Sequence, residues 1–288
     1  MACRAVGNHP LAVILAVLID SFIDHVLQQG EELYRDFAWR RTTDPYEVLL
    51  SEIMLQQTQV ARVERYYEQW LRQFPTLDAL AAADTADVLT AWQGLGYNRR
   101  ALALKRLANE VSEQQGGVLP ATREELLALP GIGPATAAGV LAFAFDMPAA
   151  YLETNVRAVI LHELFPDADG ISDKEILAIV EEAAECVHAR GVSARTWNYA
   201  LLDYGAWLKK TVPNPSRRSK HHSKQSPYEG SRRQKRARLL QAVLAEPELG
   251  TAELARACEF DYDITEDVLS SLAAEGFIRQ VTGGWQPR

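Results

Sequence analysis

Cysteine is scarce in this chain, with three residues among 288. They are Cys3, Cys186 and Cys258. Cysteines this far apart in the sequence fit neither a disulfide framework nor the close spacing of a metal site. The six histidines form no ligand pattern either. We therefore expect no bound metal, and the low cysteine content indicates a reducing compartment and a cytoplasmic location.

Long apolar runs are also missing. The longest one, residues 11–19, is too short to span a bilayer. Arg4 precedes this run, so a signal peptide is one alternative, but acidic residues follow it without a small-residue cleavage site. We interpret the run as a first helix or as the mark of a start site placed too early, and residues 1–18 as an N-terminal extension. We expect no membrane partner.

Strand-like alternation is scarce between residues 11 and 210, where helical periodicity dominates. Proline, serine and basic residues then mark residues 211–231 as a long loop or linker. Residues 232–288 predict three helices and a hairpin around Gly283 and Gly284, the pattern of a winged helix-turn-helix module. The sequence thus predicts a mainly α protein with a core over residues 19–210 and a small C-terminal module.

The net charge of −8 conceals a strongly basic segment. Residues 209–238 contain eleven lysines and arginines and one acidic residue. Phosphate binding needs such a basic stripe, and Arg217 and Arg218 are candidate DNA contacts within it. The alternative is a solvated, disordered basic linker. Residues 241–288 are acidic, which is poor for reading a DNA groove, so we expect the module to dock on the core or on a protein partner.

The stretch LPGIGPATAAGV, residues 129–140, predicts a short turn between two helices. Gly131 and Gly133 permit backbone conformations and close approaches that a Cβ would block. Amides at the start of the second helix, around Ala135 and Thr136, then form an anion site without a lysine. This pattern fits a helix-hairpin-helix that holds a DNA phosphate, and there is no nucleotide-binding G-x-x-x-x-G-K-[ST] loop. The alternative is an ordinary helix–helix corner.

The stretch SEIMLQQTQV, residues 51–60, predicts that Glu52, Gln56 and Gln59 share one helix face. A carboxyl group among apolar neighbours has a raised pKa and can serve as a general acid. Glutamines suit hydrogen bonding to base edges or filling the gap left by an extruded base, so Gln56 and Gln57 are candidate DNA contacts. The alternative is a surface glutamate on an amphipathic helix.

Two shorter stretches add polar residues to this set. GLGYNRRA places Tyr97 beside Arg99 and Arg100, which suits base stacking and phosphate contact, although a capped corner with solvated arginines is the alternative. YLETNVRAVI places Glu153 and Asn155 in a mostly apolar run. The alternative there is a helix N-terminus, capped by Thr154 or Asn155.

Together, and in this order and spacing, these stretches resemble the helix-hairpin-helix DNA glycosylases that include endonuclease III, most closely the MutY-type enzymes. The resemblance covers roughly residues 20–210 and implies a two-lobed helical fold around a cleft for double-stranded DNA. It implies that Glu52 protonates an adenine, that Gln56 wedges into the base stack and that Tyr97 lies near the lesion. Gly131 and Gly133 match the hairpin that grips a phosphate.

The chain departs from that family at the sugar-stabilising carboxylate and at the lyase lysine. The family's aspartate before the T-N-V or G-N-V step, which stabilises the cationic sugar, corresponds to Glu153, with Asn155 beside it. The extra methylene moves the carboxylate by about 1 Å, and a misplacement of that order can cost about 10²-fold in rate. Bifunctional relatives carry a Schiff-base lysine after the hairpin. Here the position is Ala135, so no lyase step through that lysine is expected.

Two larger features of the MutY type are missing. Its enzymes carry four cysteines after the D-x-G-A helix to hold an iron–sulfur cluster, whereas DYGAWLKK, residues 203–210, leads into the basic loop without one. We therefore expect no cluster, and we hypothesise that the loop replaces it by contacting phosphates. We also expect no domain that reads 8-oxoguanine, because a winged-helix-like module follows the basic loop instead.

These observations predict a monomeric, monofunctional DNA glycosylase. Its substrate would be an adenine opposite 8-oxoguanine or guanine, extruded from the duplex and released by hydrolysis of the N-glycosidic bond. One alternative keeps the chemistry and changes the base, to a mismatched thymine or uracil or another lesion. A second is a non-catalytic DNA-binding protein.

Overall fold

A computed structural model of the chain describes residues 10–221 and 227–288, with side chains from residue 18 onward. Residues 1–9 of the expected N-terminal extension and 222–226 of the expected basic loop lie outside the described residues. The described residues form fourteen α-helices, two short 3₁₀ helices and a two-stranded sheet, which confirms the mainly α class. Among these residues, no helix has the length and apolar character needed to cross a membrane.

Helices fill much of the span over which helical periodicity dominates the sequence, and Thr76 caps one of the shorter ones. The elements are α1 (Pro10–Glu32), α2 (Pro45–Leu55), α3 (Val60–Gln73), α4 (Leu77–Ala82), α5 (Thr85–Ala91), α6 (Arg99–Gln115), α7 (Arg123–Ala128), α8 (Pro134–Phe143), α9 (Thr154–Glu163), α10 (Asp173–Ala189), α11 (Ala194–Thr211), α12 (Arg232–Ala245), α13 (Thr251–Cys258), α14 (Tyr262–Ala274), β1 (Ile278–Val281) and β2 (Gly284–Pro287). The 3₁₀ helices are Ala38–Arg40 and Pro215–Arg218.

The described residues divide into two compact units. The first contains residues 10–52, 120–128 and 132–221 and is built around α11. Asp203, buried on α11, accepts a bidentate pair of hydrogen bonds from Arg40, 2.6 and 2.8 Å long. A second guanidinium, from Arg35, donates to the same carboxylate at 2.6 Å. A buried carboxylate needs such partners, and they fix α11 within this unit.

The second unit contains residues 53–119, 129–131 and 227–288. Trp70 of α3 packs edge-on against Trp92, with ring centroids 5.2 Å apart. Helices α12, α13 and α14 pack on one another, and β1 and β2 form the predicted hairpin. Its last pair is Val281 with Gly284, so the turn consists of residues 282 and 283, and Gly283 has a φ of +110°. Three helices and a hairpin confirm the winged-helix-like module.

The helix face predicted for Glu52, Gln56 and Gln59 is wrong, because α2 ends at Leu55 and α3 begins at Val60. The reason lies on α6. The guanidinium of Arg100 donates to carbonyl oxygens at the end of α2 and in the turn after it. These acceptors are Ile53 at 2.7 Å, Met54 at 3.0 Å and Gln56 at 2.7 Å. Because Arg100 satisfies carbonyls at the end of the helix, the chain is able to turn there.

Candidate active site

Glu52 lies on α2 in the first unit and faces Gly139 of α8. A Cβ at Gly139 would overlap Oε2 of Glu52, so the absence of a side chain there makes room for the carboxyl group. The hydroxyl of Tyr151 is hydrogen-bonded to Glu52. Burial raises the pKa of Glu52 to about 8, although the bond to Tyr151 opposes the shift. Glu52 therefore carries its proton at neutral pH and is able to donate it.

Glu153 caps the N-terminus of α9. Its Oε1 accepts hydrogen bonds from the amides of Asn155, at 2.6 Å, and Val156, at 3.1 Å. The sequence suggested a cap in this stretch at Thr154 or Asn155, but the capping side chain is Glu153 itself. The longer side chain folds back onto the first turn of the helix. Glu153 caps the helix and also lies near Glu52, since its charge raises the pKa of Glu52.

Tyr151, which was not among the residues predicted from the sequence, is hydrogen-bonded to Glu52 and is close enough to Glu153 to feel its charge. Burial and the neighbouring carboxylates Glu52 and Glu153 raise the pKa of its phenol well above the usual value. The ring packs against Phe143 of α8, with centroids 5.3 Å apart, and Phe143 stacks on Tyr199 of α11 at 4.5 Å. Tyr151 is thus a neutral hydrogen-bond donor held by aromatic packing.

Asn155 lies in the first turn of α9, where α11 passes close by. A Cβ at Gly205 would overlap the Asn155 carbonyl oxygen, so the glycine of the DYGA stretch permits this approach. One turn further along α11, Lys209 Nζ donates to Asn155 Oδ1 at 2.9 Å. Burial raises the pKa of Glu153, and the charge of Lys209 is the largest influence opposing that rise. Sequence reasoning missed Lys209.

The second unit holds the predicted DNA contacts Gln56, Gln57, Tyr97 and Arg99. Gln57 and Tyr97 both have left-handed backbones, with φ of +54° and +48°. Such conformations are rare for residues other than glycine and tend to occur at functional sites. Arg100 holds both turns, since it also donates to the carbonyl of Gly96 at 2.9 Å. Burial lowers the pKa of Arg100 to about 10. Its role is structural, which its position beside Arg99 did not reveal.

Tyr97 and Arg99 contact the C-terminal module. Arg99 Nε donates to Oε2 of Glu275 at 2.6 Å, and Arg233 Nη1 donates to the Tyr97 hydroxyl at 3.0 Å. Arg236 of α12 also donates to Oε2 of Glu275, at 2.8 Å. Two of the four predicted DNA contacts in this unit, Tyr97 and Arg99, therefore have hydrogen-bond partners on the module.

In the glycine hairpin the two glycines have different requirements. Gly131, in the second unit, has a φ of +80°, and a Cβ there would overlap Ala103. Gly133, the N-cap of α8, has a φ of −98°, and a Cβ there would face open space. The chain itself therefore requires glycine only at 131. Ala135 is exposed and Thr136 is buried at the start of α8, so Thr136 presents little side chain to a ligand.

Of the two predicted basic contacts, Arg217 is exposed and Arg218 is engaged by the protein. The guanidinium of Arg218 donates to the carbonyls of Leu161, Phe165, Pro166 and Ala168 at 2.5–3.2 Å. This arrangement favours a structural role for Arg218 at the end of α9.

The segment that follows α11 contains no cysteine, so its donor atoms do not fit an iron–sulfur cluster. Within the described ranges, no group of three His, Cys, Asp or Glu side chains is arranged to hold a metal ion.

The site and fold together define a class of DNA repair protein. A family model described as HhH-GPD superfamily base excision DNA repair protein matches residues 50–186. The chain belongs to this superfamily, and DNA is its partner. The Adenine DNA glycosylase of Mycobacterium tuberculosis is 35% identical over 282 residues, which cover 90% of this chain and 91% of that protein.

Solved structures agree on the fold. A thermostable thymine-DNA glycosylase has a TM-score of 0.58 and 28% identity, covering 66% of this chain and 87% of that one. An endonuclease III trapped in a covalent intermediate with DNA has a TM-score of 0.51 and 19% identity, covering 73% and 89%. At that identity, the second likeness shows the fold alone.

Proposed function

We propose that the protein is a monofunctional DNA glycosylase that removes adenine mispaired with 8-oxoguanine or guanine. The observation that carries the proposal is the pairing of Glu52, protonated at neutral pH, with Glu153 in one site. Glycosidic hydrolysis needs one carboxyl group to give a proton and a second one to stabilise the sugar as a carboxylate. The whole-length likeness to an Adenine DNA glycosylase supports adenine as the base.

In the proposed reaction, Glu52 gives its proton to a nitrogen of the extruded adenine as the C1′–N bond breaks. The departing base takes the bonding electrons, and positive charge develops on the sugar. Glu153, as a carboxylate, stabilises that charge. A water molecule then adds to C1′ and loses a proton, which leaves an abasic site. Tyr151 holds the carboxyl group of Glu52 in place through their hydrogen bond.

A second candidate keeps this chemistry and takes a mismatched thymine or uracil. The 28% identity to a thymine-DNA glycosylase over 66% of this chain favours it. Protonation assists the departure of adenine, and Glu52 is built to protonate, so adenine is the better match to the site.

The test is single-turnover base release from 30-mer duplexes. One set carries adenine opposite 8-oxoguanine, guanine, cytosine or thymine, and a second carries thymine or uracil opposite guanine. We expect release of adenine opposite 8-oxoguanine and guanine, with the abasic strand uncut until alkali is added. Release of base only from the thymine or uracil duplexes would show that the substrate is a mismatched pyrimidine and not adenine. Binding of duplex without release of any base would contradict the proposal that the protein is a glycosylase.

We also propose that the enzyme works without an iron–sulfur cluster. The support is the cysteine-free segment after α11 and the bonds by which Arg218 holds that segment to the end of α9. Iron and sulfide analysis of anaerobically purified, active protein should find neither. Stoichiometric iron would contradict the proposal.

Finally, we propose that the C-terminal module docks on the glycosylase helices of its own unit. The hydrogen bonds of Glu275 with Arg99 and of Arg233 with Tyr97 support this docking. We propose that the protein is a monomer and that it works in the cytoplasm. Size-exclusion chromatography with light scattering should give a mass of about 32.1 kDa, the mass of one chain.

A further inference from the structure

Lys209 lies where its charge can act on the predicted sugar-stabilising site. The close approach of α11 to α9 at Gly205 places residues one turn later beside the start of α9. Lys209 Nζ is 2.9 Å from Asn155 Oδ1, and the Asn155 amide is itself 2.6 Å from Glu153 Oε1. Lys209 therefore holds the side chain of Asn155, the residue whose backbone amide donates to the carboxyl group of Glu153.

The surroundings of Glu153 create a need for a cation. Burial raises the pKa of Glu153, whereas stabilising a cationic sugar requires the carboxylate. Glu52 is a second carboxyl group of the same site and supplies no positive charge. In the described part of the chain, the one hydrogen bond of Lys209 is to Asn155, so no carboxylate pairs with it directly. Its charge therefore remains available to Glu153.

We propose that Lys209 is a positioning residue for base excision, whose ammonium group holds Asn155 and keeps Glu153 in its charged form. The inference rests on the proposed function, because it assigns Lys209 a role in that reaction. A purely structural tether between α11 and α9 would use the same hydrogen bond and would not depend on the charge.

Three variants of the full chain separate the charge from the tether. Lys209→Arg keeps the charge and a hydrogen-bond donor. Lys209→Gln keeps an amide donor without the charge. Lys174→Gln removes the same charge from an exposed position on α10, outside the basic segment, and serves as the matched control. Thermal melts of all three identify any variant whose fold has changed.

Single-turnover rates from pH 5 to 9 give the first readout. Loss of Glu153 ionisation defines the acidic limb of this profile. We expect Lys209→Gln to move that limb to higher pH and to slow release about tenfold at pH 6, whereas Lys209→Arg and Lys174→Gln follow the wild type. A slower Lys209→Gln enzyme with an unmoved acidic limb would overturn the inference in favour of the tether.

A second readout does not depend on activity. The carboxyl carbons of ¹³C-labelled glutamates are followed by NMR against pH, and the Glu153 resonance is assigned by its loss in Glu153→Gln. We expect Lys209→Gln, and not Lys174→Gln, to shift the Glu153 titration upward. An unshifted titration would overturn the inference even in an active enzyme. An enzyme inactive on every duplex, with the titration shifted, would reject the proposed reaction and leave the electrostatic link standing.

Discussion

Glu52 and Glu275 carry the same carboxyl group in opposite surroundings, one in each compact unit. Burial raises the pKa of Glu52 to about 8. The hydrogen bond from Arg99, with the charges of Arg99 and Arg236, lowers the pKa of Glu275 to about 2. At neutral pH the first is therefore a neutral acid that is able to give up a proton, and the second is a fixed anion that anchors the C-terminal module.

The supply of cations accounts for the difference. The groups that act on Glu52 are Tyr151 and Glu153, and neither supplies a positive charge. Glu275 accepts hydrogen bonds from two guanidinium groups at 2.6 and 2.8 Å. Glu153 lies between these extremes, because it is buried like Glu52 and the positive charge of Lys209 acts on it. Chemistry and anchoring thus require different neighbours rather than different side chains.

The largest effect is expected for Glu52→Gln. An amide has no proton to give to the departing base, so the single-turnover rate should fall by about 10³-fold. The wild-type rate should itself fall as the pH rises through about 8, where Glu52 loses its proton. A wild-type profile that stays flat to pH 10 would show that Glu52 is not the acid.

The same substitution should stabilise the protein, because glutamine resembles the protonated acid. A raised pKa means that the folded state binds the proton more tightly than the unfolded state. The contribution of Glu52 to stability is therefore greatest below pH 4.5 and declines as the pH rises to about 8. Denaturant unfolding should show Glu52→Gln more stable by about 1–3 kcal/mol at pH 8 and nearly equal to the wild type at pH 4.5. An advantage that is independent of pH would argue against burial as the cause.

The next largest effect is expected at Glu153. Glu153→Gln removes the charge that faces the sugar, and the rate should fall by about 10²-fold or more. Glu153→Asp keeps a carboxylate that is able to cap the same amides, so it should stay within about tenfold of the wild type. Single-turnover assays on the adenine duplex measure both. Full activity of Glu153→Gln would show that Glu153 only caps α9 and does not take part in the reaction.

Local patterns singled out Glu52 and Glu153 as candidates and predicted the C-terminal hairpin, because periodicity, turn glycines and motif spacing are properties of neighbouring residues. The end of α2 was wrong because Arg100, 44 residues after Gln56, takes the carbonyls there. Lys209 was missed because its neighbour Asn155 is 54 residues away and depends on the crossing at Gly205. Contacts between distant helices have no local pattern.

A smaller but clear loss is expected for Gly139→Ala. The new Cβ would overlap Oε2 of Glu52, and Glu52 would have to move from its place beside Tyr151. A displacement of this size should slow base release by roughly 10²-fold, at most as much as removing the charge of Glu153. Gly250→Ala is the control, since its φ is −72° and a Cβ there meets nothing closer than 3.5 Å. Equal rates for both variants would show that Glu52 needs no such space.

The smallest effect is expected for Glu275→Gln. Losing the anion frees Arg99, which we predict to contact DNA, so the affinity for duplex should rise about two- to fivefold at low salt. The ion pair stabilises the fold above about pH 4.3 and is lost as the pH falls through about 2, so the variant should melt slightly lower at neutral pH. Fluorescence anisotropy with a labelled duplex measures the affinity, and Glu246→Gln removes an equal charge from an exposed position. If both variants gain equally, net charge alone is responsible; if Glu275→Gln alone gains, the module and DNA compete for Arg99.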